Sequence, residues 1–198
     1  MAALLIRRRR PIGEPAGDAP TLEGTRGAGR IVAALAELNP DLDLERVHQL
    51  LIDADASATA IDSLDVGRRF DVVVLGSHLV NRPEEPIRQA LLGLARRHLL
   101  AGGRLLVEHH PFNWATTAAD VRATPGGELG MVDVRRDPPF VSAVSVFDIG
   151  GRVVRQPFTA RVLSEAELRA ACAAAGLMVR GHLGPTWLRA SPAPSPGA

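Results

Sequence analysis

Lysine and tyrosine are absent from this chain of 198 residues, so its positive charge is carried by arginine and histidine alone. A single cysteine, Cys172, excludes an internal disulfide framework and any cysteine-based zinc site. No apolar run approaches the roughly 18–20 residues that a membrane-spanning helix needs. The net charge of +1 gives no global field that favours nucleic acid or an anionic membrane. We therefore expect a cytoplasmic protein without a nucleic-acid or membrane partner.

Composition separates the two ends of the chain from its middle. Residues 1–20 are rich in arginine, proline and glycine and are predicted to form a flexible N-terminal arm. The apolar residues of this arm precede Arg7–Arg10, the reverse of the order in a secretory signal. We expect these arginines to be solvated, with a phosphate- or lipid-binding patch as the alternative. Residues 191–198 are predicted to be a disordered tail, which leaves a single domain over residues 21–190.

A strand–helix–strand unit occupies the middle of the chain. The apolar run Phe70–Leu75 predicts a strand buried on both faces. Apolar residues at helical spacing predict a helix from about Pro86 to Leu100, and Ala101–Gly103 is expected to end it. A second buried strand is predicted at 104–108. Two strands joined by a helix in this way are typical of a doubly wound parallel sheet.

The last third of the chain has a different pattern. Residues 141–147 alternate in hydrophobicity and 152–161 return as a second strand, which predicts an antiparallel hairpin. Ser164-x-x-Glu167 has the spacing of a capping box and predicts a helix that ends near Ala175. A final strand at 177–180 is expected at the sheet edge. The fold class is therefore α/β: a Rossmann-like, mostly parallel sheet with helices on both faces and a C-terminal antiparallel hairpin.

A glycine-rich segment, Glu23-Gly24-Thr25-Arg26-Gly27-Ala28-Gly29, precedes an apolar helical pattern. Glycines at a strand-to-helix turn let the backbone approach a nucleotide-like ligand and leave the first helical amides free to bind it. Gly27-x-Gly29 by itself also fits a plain tight turn. The strand–helix–strand unit downstream favours the ligand-binding interpretation.

Three segments resemble the class I S-adenosylmethionine-dependent methyltransferases. Glu23–Gly29 is similar to their acidic-x-Gly-x-Gly-x-Gly motif, with Thr25 in place of the first glycine. Residues 65–81 resemble the fourth strand and following loop of the family, and residues 99–106 resemble the entry to its fifth strand. The resemblance covers roughly residues 20–190. The C-terminal hairpin, capped helix and strand resemble the family's layout, in which the last strand inserts antiparallel.

The resemblance implies a site for S-adenosylmethionine. Glu23, Gly27 and Gly29 would line its methionine portion, and Asp53 or Asp55 would bind the ribose hydroxyls, with a solvated loop carboxylate as the alternative. Residues of two further segments would complete the cofactor site: Asp62, Ser63 and Leu64 near the adenine, and Gly76, Ser77 and His78 after the fourth strand.

Candidate substrate residues follow from sheet geometry, because ligands of open α/β sheets bind beyond the carboxyl ends of the strands. Asn81 and Trp114 are expected to contact a small-molecule substrate. His109 or His110 is the candidate general base, since a histidine with a pKa near neutrality suits that role. Adjacent side chains on an extended segment point to opposite faces, so at most one of the two should face the substrate. The structural alternatives are a hydrogen-bonded rim histidine and a packing indole.

Three functions are compared. S-adenosylmethionine-dependent methyl transfer to a small molecule is the leading hypothesis. The second is a catalytically silent relative that serves as a binding or assembly module; Thr25, the bulky Arg26 and the short interval before Asp62 favour it. A nicotinamide-dependent oxidoreductase is disfavoured, because no complete Gly-x-Gly-x-x-Gly motif is present. The leading hypothesis requires the turn at Gly27–Gly29 to lie against the carboxyl end of the strand at Leu75.

Overall fold

The computed structural model describes residues 4–7, 58–65, 67–121, 130–149 and 152–194. These residues form two β-sheets and four helices, together with a single turn of 3₁₀ helix at Leu79–Asn81. In chain order the elements are β1 (Leu4–Arg7), α1 (Ala58–Asp62), β2 (Phe70–Leu75), α2 (Glu85–Arg97), β3 (Leu99–Glu108), α3 (Trp114–Thr117), β4 (Gly130–Asp137), β5 (Phe140–Ile149), β6 (Arg152–Arg161), α4 (Glu165–Ala174), β7 (Leu177–His182) and β8 (Trp187–Pro192).

The larger sheet has the strand order β1-β2-β3-β8-β7. Strands β2 and β3 are parallel, whereas β1 is antiparallel to β2, and β8 is antiparallel to both of its neighbours. Strand β7 consequently runs in the same direction as β2 and β3. The described part of the sheet is therefore mixed, so the prediction of a mostly parallel sheet is confirmed only in part.

Strand β1 lies within the segment that was expected to be a flexible arm. It pairs with the free edge of β2, with Leu4 opposite Leu75 and Arg7 opposite Val72. The prediction relied on the arginine, proline and glycine content of residues 1–20, and the short apolar run before the arginines was weighed only against a secretory signal, not as a strand. An unpaired edge of a sheet readily accepts such a run, because its backbone groups need hydrogen-bond partners.

The strand–helix–strand prediction is confirmed, with one correction at its second turn. Helix α2 ends at Arg97, and the His98 N–H donates to the Leu94 carbonyl at 3.3 Å. The glycine pair does not end the helix; it lies inside β3, where the register against β2 shifts. A Cβ on Gly103 would lie 3.0 Å from the carbonyl oxygens of Leu100 and Phe70. The glycine is needed for close approach of two backbones, not for a left-handed helix stop.

The C-terminal hairpin is confirmed as β5 and β6, and β4 extends it to a separate three-stranded antiparallel sheet. The capping box at the start of α4 is confirmed as well. Ser164 Oγ accepts from the Glu167 N–H at 3.3 Å, and the Glu167 carboxylate accepts from the Ser164 N–H at 2.8 Å.

The end of the larger sheet was only partly foreseen. Strand β7 lies at the edge, as predicted, but the chain then turns and inserts β8 between β7 and β3. The strand that runs antiparallel inside the sheet is therefore residues 187–192, not residues 177–180. Its short mixed sequence, Trp-Leu-Arg-Ala-Ser-Pro, carries little strand signal of its own.

The main core lies between the larger sheet and a layer of helices. Helix α2 packs against both α1 and α4, so these three helices lie side by side. The side chains of Val73, Leu75, Leu105 and Val107 are fully buried, whereas the alternate residues of β2, such as Val74, are half-buried. This alternation differs from the predicted burial of β2 on both faces. Within the described residues, no helix is long and apolar enough to cross a membrane.

Candidate functional site

Histidine side chains gather at one edge of the larger sheet. Strands β2, β3 and β7 run in the same direction, so their carboxyl ends meet at this edge. His78 follows β2, His109 and His110 follow β3, and His182 ends β7. Four of the six histidines of the chain therefore lie at the edge where open α/β sheets bind ligands.

The turn after β2 is held in an unusual backbone conformation by Glu108. Ser77 and His78 both have left-handed backbones, with φ of 54° and 57°, directly after the buried Gly76. Each such non-glycine residue carries conformational strain of about 1–3 kcal/mol. The strain is offset where the Ser77 N–H donates to Glu108 Oε2 at 2.6 Å. Glu108, the last residue of β3, thereby ties the ends of the two parallel strands together.

His78, His110 and Trp114 form a short stack beside this carboxylate. His78 Nδ1 lies 3.5 Å from Glu108 Oε2. The rings of His78 and His110 meet edge to face, with centroids 3.9 Å apart and planes at 81°. The His110 ring then lies parallel to Trp114, at a centroid distance of 3.7 Å and an interplanar angle of 7°. Trp114 is therefore a stacking partner for His110, and the structure brings these predicted site residues together.

Burial decides the charge state of this cluster. It lowers the pKa of His78 to about 4, and the neighbouring His109 adds to the effect. Burial, with His78 and His109 as further causes, lowers the pKa of His110 to about 2. Burial also raises the pKa of Glu108, although backbone N–H groups of Ser77 and His78 oppose part of that shift. At pH 7 both imidazoles are neutral. His110 lacks the near-neutral pKa expected of a general base and is a poor proton acceptor.

His109 points away from His110, as predicted for adjacent residues on an extended segment. It is 1% exposed, and its Nδ1 lies 2.8 Å from the His110 carbonyl oxygen, so Nδ1 must carry the proton. Its ring stacks on Phe112 and meets His182 edge on. Burial lowers the pKa of His109, which keeps the ring neutral. The surroundings are those of a packed histidine and give little support to the predicted role as general base.

Asn81 is buried and held by two main-chain groups. The residue is 2% exposed; its Nδ2 donates to the Arg161 carbonyl at 2.8 Å, and its Oδ1 accepts from the His110 N–H at 2.9 Å. Both ends of the side-chain amide are therefore engaged by the backbone. This geometry favours a structural role for Asn81 and gives no support to the predicted role in substrate binding.

Asp62, Ser63 and Leu64 lie at the other end of the sheet. Arg97, the last residue of α2, donates to the Asp62 carbonyl at 2.9 Å. Helix α2 runs from the carboxyl end of β2 to the amino end of β3, so this contact places Asp62 at the amino end of the sheet, opposite the end that carries Ser77. The structure does not bring these three residues together with the histidine cluster, and this placement does not support their predicted role in cofactor binding.

The remaining predicted cofactor residues, Glu23, Gly27, Gly29, Asp53 and Asp55, lie outside the described residues. The required position of the Gly27–Gly29 turn beside Leu75 is therefore still a prediction. On that side of β2, the strand that the structure describes is β1.

Two important residues were missed from the sequence. Glu108 was treated only as the end of a strand, although an acidic residue at the carboxyl end of a parallel strand is a usable signal. Arg88 carries no such signal; it sits on the buried face of α2, 3% exposed. Its Nη1 donates to the carbonyls of Arg82 and Pro83, at 2.7 and 2.8 Å, and fixes the segment between the 3₁₀ turn and α2.

In the part of the chain that the structure describes, no group of three or more histidine, cysteine or acidic side chains could hold a metal ion.

No protein-family model matches the sequence, and no curated protein matches it. Solved structures do. A S-adenosylmethionine-dependent methyltransferase from Clostridium acetobutylicum matches with a TM-score of 0.55 and 12% identity, over 68% of this chain and 63% of that one. DesVI from Streptomyces venezuelae matches with a TM-score of 0.52 and 20% identity, over 77% of this chain and 72% of that one. The sugar N-methyltransferase KedS8 from a Streptoalloteichus species matches with a TM-score of 0.52 and 18% identity, over 85% of this chain and 77% of that one.

These likenesses concern architecture. The chain spans less than two thirds of the clostridial enzyme, and its identities to all three proteins are low, so the fold is what they share. The parallel β2–β3 pair, the inserted antiparallel β8 and the capped α4 are the elements that the resemblance implied from the sequence. The chain has the fold of the class I S-adenosylmethionine-dependent methyltransferases.

Proposed function

We propose that this protein transfers a methyl group from S-adenosylmethionine to a small-molecule acceptor in the cytoplasm. The observation that carries the proposal is the half-buried cluster of the neutral His78 and His110 rings beside the Glu108 carboxylate, at the carboxyl edge of a methyltransferase fold. An acceptor that bears an amine or a hydroxyl fits this cluster, since both groups can donate hydrogen bonds to it. KedS8, a sugar N-methyltransferase, has the same fold, and this likeness favours a small-molecule acceptor such as a sugar.

The described part of the edge is chemically compatible with the cofactor. A sulfonium is a cation, and it is accommodated by a carboxylate, neutral imidazoles and an aromatic face. Glu108, His78, His110 and Trp114 provide these groups. Ser77 and His78 would hold the cofactor on this side, and Glu23, Gly27, Gly29 and Asp53 or Asp55 would complete its site. When bound, S-adenosylmethionine supplies an activated methyl group.

The residues of the cluster have different roles in the proposed reaction. Methyl transfer needs alignment and exclusion of water, and the stacked rings of His110 and Trp114 provide a rigid, half-buried wall. A proton must leave an amine or hydroxyl acceptor. Glu108 is the proton acceptor that we assign, because it lies beside His78 in the cluster and burial raises the pKa of its carboxyl above the ordinary value. His78 and His110 orient the acceptor as neutral hydrogen-bonding groups.

A second function, that of a silent binding or assembly module, is supported by a different observation. Strand β1 pairs along β2 on the side where a strand leading into the Gly27–Gly29 turn would otherwise lie. Thr25 and Arg26 also make that turn bulkier than in the family it resembles. In this alternative the fold is kept and the cofactor site is lost.

Calorimetric titration with S-adenosylmethionine and with S-adenosylhomocysteine separates the two functions. Methyl transfer requires binding of both, whereas the absence of heat at millimolar ligand would contradict it. The variant Thr25→Gly/Arg26→Ala is the matched comparison. If it binds the cofactor and the parent chain does not, the silent module is the correct description. If both bind, the altered turn is tolerated and the enzyme hypothesis stands.

A further inference from the structure

Asn81 is a buried side chain that the proposed chemistry does not use. It ends the 3₁₀ turn that follows His78, and it is 2% exposed. A buried side-chain amide without partners would cost about 1–3 kcal/mol, so its placement needs an explanation. The explanation is that both of its polar ends bind main-chain groups of distant segments, 29 and 80 residues away in sequence.

The two hydrogen bonds join three parts of the molecule. Oδ1 accepts from the N–H of His110, the segment after β3, while Nδ2 donates to the carbonyl of Arg161, the last residue of β6. Asn81 itself belongs to the turn after β2. The end of the smaller sheet is thereby linked to both of the parallel strand ends that carry the cluster.

The hydrogen bond to Asn81 holds the backbone of His110, and the His110 ring lies between His78 and Trp114 in the stack. The centroid of its ring lies 3.9 Å from that of His78 and 3.7 Å from that of Trp114, so both contacts depend on where the His110 backbone is held. Loss of the hydrogen bond would let the His110 segment move, because Asn81 Oδ1 is the side-chain acceptor that holds its N–H.

We propose that Asn81 is a positioning residue that fixes His110 against His78 and Trp114 and couples this stack to the end of β6. The part of this inference that concerns turnover depends on the proposed methyl transfer; the part that concerns geometry does not. Asn81 touches neither acceptor nor cofactor, so its effect on the reaction is transmitted through His110.

Three variants test the inference. Asn81→Leu keeps the number and branching of the side-chain heavy atoms, although it is bulkier, and it removes both hydrogen bonds. Asn81→Ala removes the same bonds without added bulk and replaces the leucine variant in the test if that variant does not fold. Asn81→Asp keeps the acceptor for the His110 N–H, loses the donor to Arg161 and places a carboxylate oxygen beside that carbonyl. Asn113→Ala is the control, because Asn113 is exposed and its side chain makes no capping hydrogen bond.

Nuclear magnetic resonance of the imidazole C–H groups reports the position of His110 directly. In the parent chain the stacked indole should shift the His110 signals upfield, and the signals should stay constant between pH 8 and pH 5.5. The groups that face this ring are His78, His109 and, beyond His78, Glu108. In Asn81→Leu we expect loss of the upfield shift and a titration near the ordinary histidine pKa of about 6.5. Asn81→Asp should retain the upfield shift.

An unchanged, non-titrating His110 signal in a folded Asn81→Leu or Asn81→Ala protein would overturn the proposal, and so would the same change in Asn113→Ala. Turnover gives a separate readout. Asn81→Leu should lose about tenfold to a hundredfold in kcat, with unchanged affinity for S-adenosylmethionine. A parent chain that binds no cofactor would contradict the proposed function, whereas the resonance experiment would still decide the role of Asn81.

Discussion

At the scale of single residues, Glu108 connects the structure with the chemistry. Its carboxylate holds the strained Ser77 backbone and lies beside the His78 ring. Replacement by Gln keeps the size and the hydrogen-bond acceptor but removes the capacity to take a proton. We expect Glu108→Gln to lower kcat by about a hundredfold or more while the affinity for S-adenosylmethionine is retained. Single-turnover methyl transfer and calorimetry measure the two quantities.

The pH dependence of the same reaction gives a second check on Glu108. Because its pKa is raised above the ordinary Glu value, the rate should increase with pH along an acid limb that lies above the usual range for Glu. This limb should vanish in Glu108→Gln. Glu85→Gln, an exposed change at the start of α2, is the control and should leave rate and profile unchanged. A parent-like profile in Glu108→Gln would assign the proton acceptor to another group.

At the scale of elements, the glycine pair in β3 offers a matched comparison. A methyl group on Gly103 would collide with two backbone oxygens and with Leu99 Cδ2, all at 3.0 Å, whereas nothing lies within 4 Å of the same position on Gly102. Gly103→Ala should lower the free energy of unfolding by about 1–3 kcal/mol, as overpacking does. Gly102→Ala should change it by less than about 1 kcal/mol. Urea denaturation of both variants measures the difference.

Equal free energies of unfolding for these two variants would show that β3 relaxes at its register shift. The close approach of β2 and β3 would then not require a glycine at position 103. The comparison also bears on prediction from sequence. Two adjacent glycines after a helical pattern indicate a helix stop, and only the tertiary contact with Phe70 shows that Gly103 is required inside a strand.

At the scale of the whole molecule, the neutral histidines link stability to pH. The pKa values of His78 and His110 are lower in the folded protein than in the unfolded chain, which binds more protons below pH 6.5. Their contribution to stability is therefore present above pH 6.5 and is lost as the pH falls toward 4. The expected slope is about 1.4 kcal/mol per pH unit for each additional proton bound. Urea denaturation at pH 7.5, 6.5 and 5.5 measures it.

The double variant His78→Gln/His110→Gln is the comparison for this slope. It cannot take up the two protons, so the loss of stability between pH 6.5 and 5.5 should be smaller in the variant than in the parent chain. Identical slopes would mean that the two rings are accessible to protons in the folded state. The two rings would then not be held in the half-buried stack on which the proposed function depends.

The sequence by itself determined the local elements of this protein. Hydrophobic runs, helical spacing and the Ser164 cap are properties of adjacent residues, and they were sufficient to predict β2, α2, β3, the β5–β6 hairpin and α4. The resemblance quoted from residues 65–106 indicated the fold that solved methyltransferases share. The divergence of His109 and His110 also followed from the geometry of an extended chain.

Only the tertiary structure decided which elements became neighbours and which side chains share a site. The pairing of β1 with β2, the insertion of β8 and the separate three-stranded sheet are contacts between distant segments, which local patterns do not encode. The same holds for the Ser77 turn on Glu108, for Asn81 between Arg161 and His110, and for Asp62 at the far end of the sheet. Burial, which lowers the pKa of the two stacked histidines, exists only once those segments have packed together.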